Sequence, residues 1–254
     1  WLDFEFDIKD ILYFRIDRKR KLPITTFLYA LGYSRSEILE LFYNYNIFTL
    51  DKGNKKWKTK FSPHDYKRPI KLRNDLVNAS NEKIVLKKGS KINFVIAKKI
   101  HDEGLKNVLV ETGYFLGKYI KNNLLDSSTN EIFLKSGSSI NQESLDKIIN
   151  LKIESLSIAD IDPINKGSYI MDTLNIDKNN SKEEAINDIY KMLRPGEPPT
   201  FDIAKEIFNN LFFKSERYDL SDVGRVKLNS KLKLQCSEET TILRDDDIVA
   251  IIRH

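Results

Sequence analysis

Two stretches of this chain match each other without a gap at a spacing of 48 residues. Residues 84–93, IVLKKGSKIN, align with residues 132–141, IFLKSGSSIN. The match extends on both sides, from Leu72/Ile120 to Val110/Ile158, and every matched apolar position keeps its character. Each repeat, about 72–110 and 120–158, predicts a strand, a Gly-Ser turn, a short helix and a closing strand. We expect the two repeats to pack together because neither buries a face alone. The gap-free register argues against chance similarity between two β-rich stretches.

The N-terminal flank predicts a hairpin followed by two helices. Leu2–Phe6 and Ile11–Ile16 alternate apolar and polar side chains around a polar turn. An apolar segment then runs from Ile24 to Leu31 and ends at Gly32, a typical helix stop. Ser34 and Glu37 have the spacing of a capping box, and the helix that follows has an apolar face of Ile38, Leu41 and Phe42.

The C-terminal flank is helical. Ser181 and Glu184 predict a second capping box, before a helix with Ala185, Ile189 and Met192 on its apolar face. Residues 194–200, RPGEPPT, predict a rigid non-helical connector, because proline fixes φ and removes a backbone donor. Thr200 can cap a helix with an apolar face of Ile203, Ile207, Phe208 and Leu211. Residues 245–252 predict a last helix that carries Ile248, Ile251 and Ile252 toward a partner surface outside the chain.

These patterns predict an α+β fold in which a mixed helical and β lobe is interrupted by a β-rich module. We place the lobe at residues 1–43 and 167–254, and the inserted module with its duplicated 48-residue unit at 44–166. A chain that opens on Trp1 rather than Met indicates an excised fragment. A single cysteine, Cys236, and the lack of a leader or a long apolar run favour a soluble, cytoplasmic protein with no membrane contact.

A search for catalytic groups finds no active centre. His64, His101 and His254 are scattered without close carboxylate or cysteine companions, and Cys236 has no identifiable histidine partner. No phosphate-binding or dinucleotide glycine motif is present. Residues 245–247, DDD, could suggest a magnesium site, but the solvated first turn of a helix explains them better.

The cations of residues 15–21, RIDRKRK, are the feature with the strongest physical reason for a function. They concentrate charge at a strand end, where several side chains can reach phosphates. Asp17 among them can orient guanidinium groups or accept a hydrogen bond from a base edge. Trp1 on the adjoining strand can stack on an unpaired base. A net charge of +5 permits a polyanionic partner without requiring one. Composition alone favours a solvated loop and a core tryptophan.

Three stretches favour the nucleic-acid contact over the solvated loop, because they resemble signatures of the bacterial RNA polymerase β subunit and occur in the same order as in that family. They are residues 1–7, WLDFEFD, residues 15–23, RIDRKRKLP, and residues 194–200, RPGEPPT. Residues 210–213, 217–220 and 223–225 resemble the stretch that follows in that family. The resemblance spans nearly the whole chain and indicates the β2 lobe, with the repeated middle as its lineage-specific insertion.

The resemblance implies a wall of the downstream DNA cleft in DNA-templated transcription. It implies that Trp1 stacks on a nontemplate-strand base and that Asp17, Arg18 and Arg20 line the same cleft. Expected partners are downstream DNA, the nontemplate strand, the other polymerase subunits and a sigma factor. The fragment would have no catalytic residue and no cofactor of its own, since the family's magnesium is held by the other large subunit.

A second function stays open, in which the inserted module docks regulatory proteins and the lobe merely carries it. Its support is a mixed-charge surface with Lys52, Lys55, Lys56, Lys58 and Lys60 beside Trp57. Solvated lysines are the usual explanation for such a run. An independent hydrolase or transferase has no group of residues behind it.

Overall fold

The chain forms two compact units in the computed structural model, which describes residues 2–51, 55–161, 167–198 and 200–254. Residues 1–43 and 162–254 form the first, here called the lobe unit. Residues 44–161 form the second, called the inserted unit. Within the described ranges, no helix is both long and apolar enough to cross a membrane.

The lobe unit opens with a three-stranded antiparallel sheet and two helices. Strands β1 (Leu2–Phe6), β2 (Leu12–Ile16) and β3 (Leu22–Pro23) pair in that order. Helix α1 (Ile24–Leu31) ends at Gly32, whose φ of 110° suits a residue without a Cβ atom. The predicted hairpin and helix are therefore confirmed.

Helix α2 (Arg35–Phe42) begins with the predicted capping box. The Ser34 hydroxyl accepts the Glu37 N–H, and the Glu37 carboxylate accepts the Ser34 N–H at 2.7 Å. Ile38 and Leu39 are the buried residues of this helix, whereas Leu41 and Phe42 are only half-buried. Beyond α2, the Tyr43 hydroxyl donates to the Gly167 carbonyl at 2.9 Å, so the two ends of the lobe unit's interruption lie together.

The inserted unit is built on a six-stranded sheet in the order β13-β4-β5-β10-β7-β8. Its first and last strands pair antiparallel, and Asn44 lies opposite Asp160. The elements in chain order are β4 (Asn44–Asp51), β5 (Lys56–Lys60), β6 (Ile70–Lys71), β7 (Leu76–Asn78), β8 (Ile84–Leu86), β9 (Lys91–Ile92), α3 (Phe94–Asp102), β10 (Asn107–Val110), β11 (Leu124–Leu125), β12 (Ile132–Leu134), α4 (Gln142–Asn150) and β13 (Ser155–Asp160).

The two repeats share individual hydrogen bonds at the 48-residue spacing. The Asp75 side chain accepts the Lys88 N–H at 2.6 Å, and Asn123 accepts the Ser136 N–H at 2.8 Å. The N-caps of α3 and α4 are likewise equivalent asparagines, Asn93 and Asn141. Glycines of positive φ, Gly89 at 86° and Gly137 at 76°, occupy the two turns. The sequence repeat therefore corresponds to a repeat of the three-dimensional structure.

Each repeat contributes to one hydrophobic core, but both cores also contain residues from outside the repeats, so the expectation that neither repeat buries a face alone stays a prediction. The first core consists of Phe61, Leu76, Ile92, Ala97, Ile100, Leu105 and Val108. The second consists of Phe48, Trp57, Phe115, Ile120, Leu134, Ile140, Leu145, Ile148, Leu156 and Ile158. Strands β4 and β5 lie between β13 of the second repeat and β10 of the first, so one sheet joins the two cores.

The lobe unit resumes with five helices, one of which packs its aromatic side chains against Phe27. They are α5 (Tyr169–Ile176), α6 (Lys182–Leu193), α7 (Phe201–Phe212), α8 (Ser221–Leu232) and α9 (Asp245–Arg253). The Phe27 ring lies 5.2 Å from Phe14 of β2, 5.5 Å from Phe208 and 5.0 Å from Phe212, measured between ring centroids. This aromatic cluster fixes α7 and β2 against α1.

The predicted apolar face of α7 is confirmed at Phe208 and wrong at Ile203. Ala204, Phe208 and Phe212 are its buried residues, while Ile203 is 51% exposed. Ile203, Ile207 and Leu211 each come one position before Ala204, Phe208 and Phe212, and both rows recur every four residues, so periodicity alone cannot choose between them. The contacts with Phe27 decide for Phe208 and Phe212.

Two of the helix caps in the structure also differ from the caps that the sequence predicts. Ser181 accepts the Glu184 N–H at 3.3 Å, but the Glu184 carboxylate accepts from Asn180 rather than from Ser181, so the box is only half formed. Thr200 stands at the start of α7, yet among the described residues its hydroxyl makes no capping bond.

In α9, Ile248 is buried inside the lobe unit rather than turned toward an absent partner.

Candidate nucleic-acid interface

The block of residues 15–21 forms the end of β2 and a tight turn into β3. Asp17 and Arg18 both adopt left-handed backbone conformations, with φ of 49° and 57°. The Lys19 N–H donates to the Ile16 carbonyl at 3.0 Å and closes the turn. Asp is among the residues that tolerate this conformation, but Arg usually avoids it. The turn therefore displays a charged residue at a backbone position where glycine is usual.

Glu5 of β1 binds two of the cations. Its Oε1 atom accepts from Arg15 Nη2 at 3.0 Å and Nε at 3.2 Å, and it lies 3.5 Å from Lys21 Nζ. The hydrogen bond from Arg15 holds the pKa of Glu5 below its usual 4.5. The Lys21 ammonium also lies 4.3 Å from the centre of the Tyr13 ring. Arg15 and Lys21 are thus occupied within the sheet.

Lys19 is held by the end of a helix. Its Nζ donates to the Leu193 carbonyl at 2.5 Å, and its own carbonyl accepts from Arg15 Nη1 at 3.2 Å. Leu193 is the last residue of α6, where unpaired carbonyls carry partial negative charge. The contact fixes the turn next to the RPGEPPT connector.

Asp17, Arg18 and Arg20 are the members of the block that remain available. All three are exposed, and none forms an ion pair or side-chain hydrogen bond with the residues that the structure describes. The block therefore divides into anchored cations, Arg15, Lys19 and Lys21, and two free guanidinium groups. Free guanidinium groups on a turn can reach phosphate oxygens without first breaking an internal ion pair.

Trp1 lies outside the described residues, so its placement beside residues 15–21 stays a prediction. The structure describes its neighbour strand, in which Leu2 lies opposite Ile16 and Asp3 opposite Arg15.

The described part of the RPGEPPT connector is non-helical, as predicted. Gly196 has a φ of 88°. The Glu197 carboxylate accepts from the Tyr190 hydroxyl at 2.9 Å and from Arg194 Nη1 at 3.4 Å. The hydrogen bond to Glu197 raises the pKa of Tyr190. These contacts tie the connector back to α6.

Candidate catalytic residues stay dispersed. Over the described residues, no three His, Cys, Asp or Glu side chains lie close enough together to hold a metal. His101 does have a carboxylate neighbour, Asp102, with Nδ1 to Oδ1 at 3.6 Å, which corrects the expectation that it has none. The Cys236 sulfur accepts from Arg244 Nη1 at 3.2 Å.

The three aspartates at 245–247 form the first turn of α9, as predicted, but they are not all solvated. Asp247 is buried at 1% exposure and forms an ion pair with Arg225 of α8. Sequence patterns cannot reveal such a pair, because its members are far apart in the chain and on different helices.

Glu5 was missed as a contributor to this region, and Lys19 was predicted as a member of the basic block but not as an anchor. The hairpin register offered a signal for Glu5, since pairing Leu2 with Ile16 sets Glu5 diagonally across from Arg15 on one face. Lys19 offered none, because its partner is a backbone carbonyl 174 residues away.

The inserted unit has a separate cleft lined by strands β4 and β5, the first repeat and the segments that precede each repeat. It encloses about 600 Å³ between equivalent tyrosines, Tyr66 and Tyr114. Burial raises the pKa of Tyr66 to about 12 and also raises that of Tyr114. Lys60 and Arg73 line the cleft and form no ion pair with a described carboxylate. Trp57, beside the predicted lysine surface, is buried and donates to Thr112 at 3.2 Å.

Comparison with known proteins assigns a family to this arrangement. The family model described as RNA polymerase Rpb2, domain 2, matches residues 1–166 and 172–254. The DNA-directed RNA polymerase subunit beta of Rickettsia bellii (strain OSU 85-389) is 52% identical over 253 residues, that of Rickettsia massiliae (strain Mtu5) 48%, and that of Rickettsia rickettsii (strain Sheila Smith) 47%. Each match covers 100% of this chain and 18% of the relative. The chain therefore belongs to the family of RNA polymerase β subunits and corresponds to a piece of that subunit, its second domain.

Proposed function

We propose that this chain forms a wall of the downstream DNA cleft of an RNA polymerase, and that Arg18 and Arg20 contact the DNA backbone. The observation that carries the proposal is the division of the basic block into anchored and free cations. Two exposed guanidinium groups on one turn provide a sequence-independent electrostatic contact.

Asp17 and Trp1 would add base contacts to this backbone contact. The Asp17 carboxylate lies on the same turn, without a described partner, and can accept a hydrogen bond from a base edge. Trp1 precedes β1, and we propose that it stacks on a base of the nontemplate strand. Loss of such a stack costs about 1–3 kcal/mol per base.

The proposed setting is the cytoplasmic transcription complex. Its partners would be downstream DNA, the other polymerase subunits and a sigma factor. Catalytic magnesium would be held by another subunit, and this chain would contribute DNA contact rather than chemistry.

A DNA titration with assembled polymerase tests the backbone contact. We compare enzyme containing the full β subunit with the R18Q/R20Q double variant on fluorescent forked DNA, from low to moderate salt. The slope of log affinity against log salt should fall in magnitude by about 1.8, or 0.9 for each lost phosphate contact. The control K227Q/K231Q removes two exposed charges from α8. An unchanged slope in R18Q/R20Q would refute the contact.

A second candidate function is protein docking by the inserted unit. The cleft of the inserted unit favours it, because apolar and tyrosine side chains lie there beside Lys60, Lys71 and Arg73, which outnumber the two carboxylates of the lining, Asp65 and Asp75. Such a lining suits a partner segment with an apolar anchor and acidic neighbours.

Deletion of residues 44–166 tests this second function. Since Tyr43 and Gly167 already touch, a short linker should join them without strain. We expect polymerase with this deletion to transcribe a regulator-free template normally and to lose its response to any factor that binds the cleft. A lobe that no longer folds would contradict a purely regulatory role for the inserted unit.

A further inference from the structure

We infer that Lys19 is a positioning residue for the DNA contact, an inference that rests on the proposed function. Lys19 lies between Arg18 and Arg20 in the turn that follows β2. It differs from both neighbours because its backbone and its side chain are each held by another part of the lobe unit.

The contacts of Lys19 form a continuous chain across the lobe unit. Glu5 of β1 binds Arg15 of β2, and Arg15 Nη1 donates to the Lys19 carbonyl at 3.2 Å. The Lys19 ammonium then donates to the Leu193 carbonyl at 2.5 Å. The turn is therefore fixed from the sheet on one side and from the end of α6 on the other.

Two properties of the site make this anchor effective. The cation sits at a helix C-terminus, where the helix dipole and the free carbonyls favour positive charge. The turn also contains two consecutive residues of positive φ, Asp17 and Arg18, which relax readily when nothing holds them. With the anchor in place, DNA binding does not have to order the backbone that carries Arg18 and Arg20.

The competing explanation is that Lys19 binds a phosphate directly. A double-mutant cycle separates the two, because a positioning residue acts only through the groups that it positions. If Lys19 acts through Arg18 and Arg20, its replacement should have little effect once both arginines are gone. A direct contact would lose the same affinity in either background.

The experiment uses RNA polymerase assembled with the full β subunit and the same forked DNA. We expect K19M to weaken DNA binding by about three- to tenfold, the range for losing the preorganisation of one or two side chains. In the R18Q/R20Q background the effect of K19M should shrink below about twofold. The control K9M removes an exposed lysine from the opposite hairpin turn and should change affinity by less than about twofold. K19R, which keeps a donor, should retain most of the affinity.

Three outcomes would overturn the inference. Equal losses for K19M in both backgrounds would make Lys19 a direct DNA contact. No loss in the wild-type background would make the anchor irrelevant. An R18Q/R20Q variant that binds like wild type would refute the proposed function itself, and the inference with it. The first two outcomes leave the proposed function standing.

Amide hydrogen exchange provides a readout independent of DNA. Exchange of the Lys19 amide, which donates to the Ile16 carbonyl, should accelerate in K19M and stay unchanged in K9M and K19R, because only K19M loses the bond to Leu193. Unchanged exchange in K19M would also overturn the inference.

Discussion

Arg225 of α8 and Asp247 of α9 form a bidentate ion pair with both side chains excluded from solvent. The two contacts, Nη1 to Oδ1 and Nη2 to Oδ2, each measure 2.8 Å. Two further guanidinium donors, Nε and the second N–H of Nη2, reach the Thr240 and Ile242 carbonyls at 2.5 and 2.6 Å. Hydrogen bonding to Asp247 raises the pKa of Arg225, so the guanidinium stays charged. It fixes the segment between α8 and α9.

Replacing one member of this pair should be strongly destabilising. D247N leaves a buried guanidinium without its counterion, and we expect the free energy of unfolding to fall by about 3–5 kcal/mol. The control is D246N in the neighbouring exposed pair, where Arg244 Nη2 lies 2.6 Å from Asp246. That change should cost less than about 1 kcal/mol. Urea unfolding of the chain measures both, and similar losses would contradict the assignment.

The repeat turns should require glycine for conformational reasons. At Gly89, with a φ of 86°, an added Cβ would meet only the end of the Lys71 side chain at 3.8 Å, so backbone strain is the main penalty. We expect G89A to cost about 1–2 kcal/mol in unfolding free energy. At Gly113, φ is not positive and a Cβ atom would meet nothing within 4 Å, so G113A should be close to neutral. Equal losses of unfolding free energy in G89A and G113A would show that the positive φ of Gly89 is not the cause of the loss.

Both asparagine caps should stabilise their helices, and Asn141 also accepts the Ser144 hydroxyl at 2.8 Å. Asn93 accepts the Ile96 N–H at 2.9 Å and Asn141 accepts the Ser144 N–H at 2.8 Å. N93A and N141A should each lower the free energy of unfolding by about 1 kcal/mol. K98A, an exposed change on α3, serves as the control. A large effect in one repeat and none in the other would contradict their equivalence.

Glu5 should make the hairpin acid-sensitive. Because Arg15 depresses its pKa in the folded state, its contribution to stability is complete above the unfolded value of 4.5. The contribution disappears as the pH falls through the lower folded value. The stability difference between wild type and E5Q should therefore be greatest near neutral pH and vanish in strong acid. Thermal unfolding across this pH range measures the stability difference between wild type and E5Q. A difference that grows in acid would contradict the prediction.

Local signals predicted much of this fold. The hairpin, helix α1 with Gly32 and the Ser34 capping box follow from residue types a few positions apart, and the internal duplication follows from direct alignment. The face of α7 could not be predicted in this way. Two apolar sets one residue apart fit the same period, and only the Phe27 ring selects between them.

The candidate site was predicted less completely. The sequence identified a basic block, and the family resemblance selected Arg18 and Arg20 from it. Neither the sequence pattern nor the resemblance could show that Arg15, Lys19 and Lys21 are bound by other residues of the chain. Their partners, Glu5 on β1 and the Leu193 carbonyl at the end of α6, are contacts of the folded structure. The buried state of Asp247 was hidden for the same reason, since its environment depends on Arg225.

The pairing of Asn44 with Asp160 gives the inserted unit adjacent points of entry and exit. A segment of this kind can be gained, lost or exchanged during evolution as a unit, because its two ends lie close together. In the lobe unit, the hydrogen bond between Tyr43 and Gly167 holds the two ends of the interrupted chain next to each other. Other compact domains with neighbouring termini should be accepted at the same junction, which makes it a natural attachment point for tags or sensors.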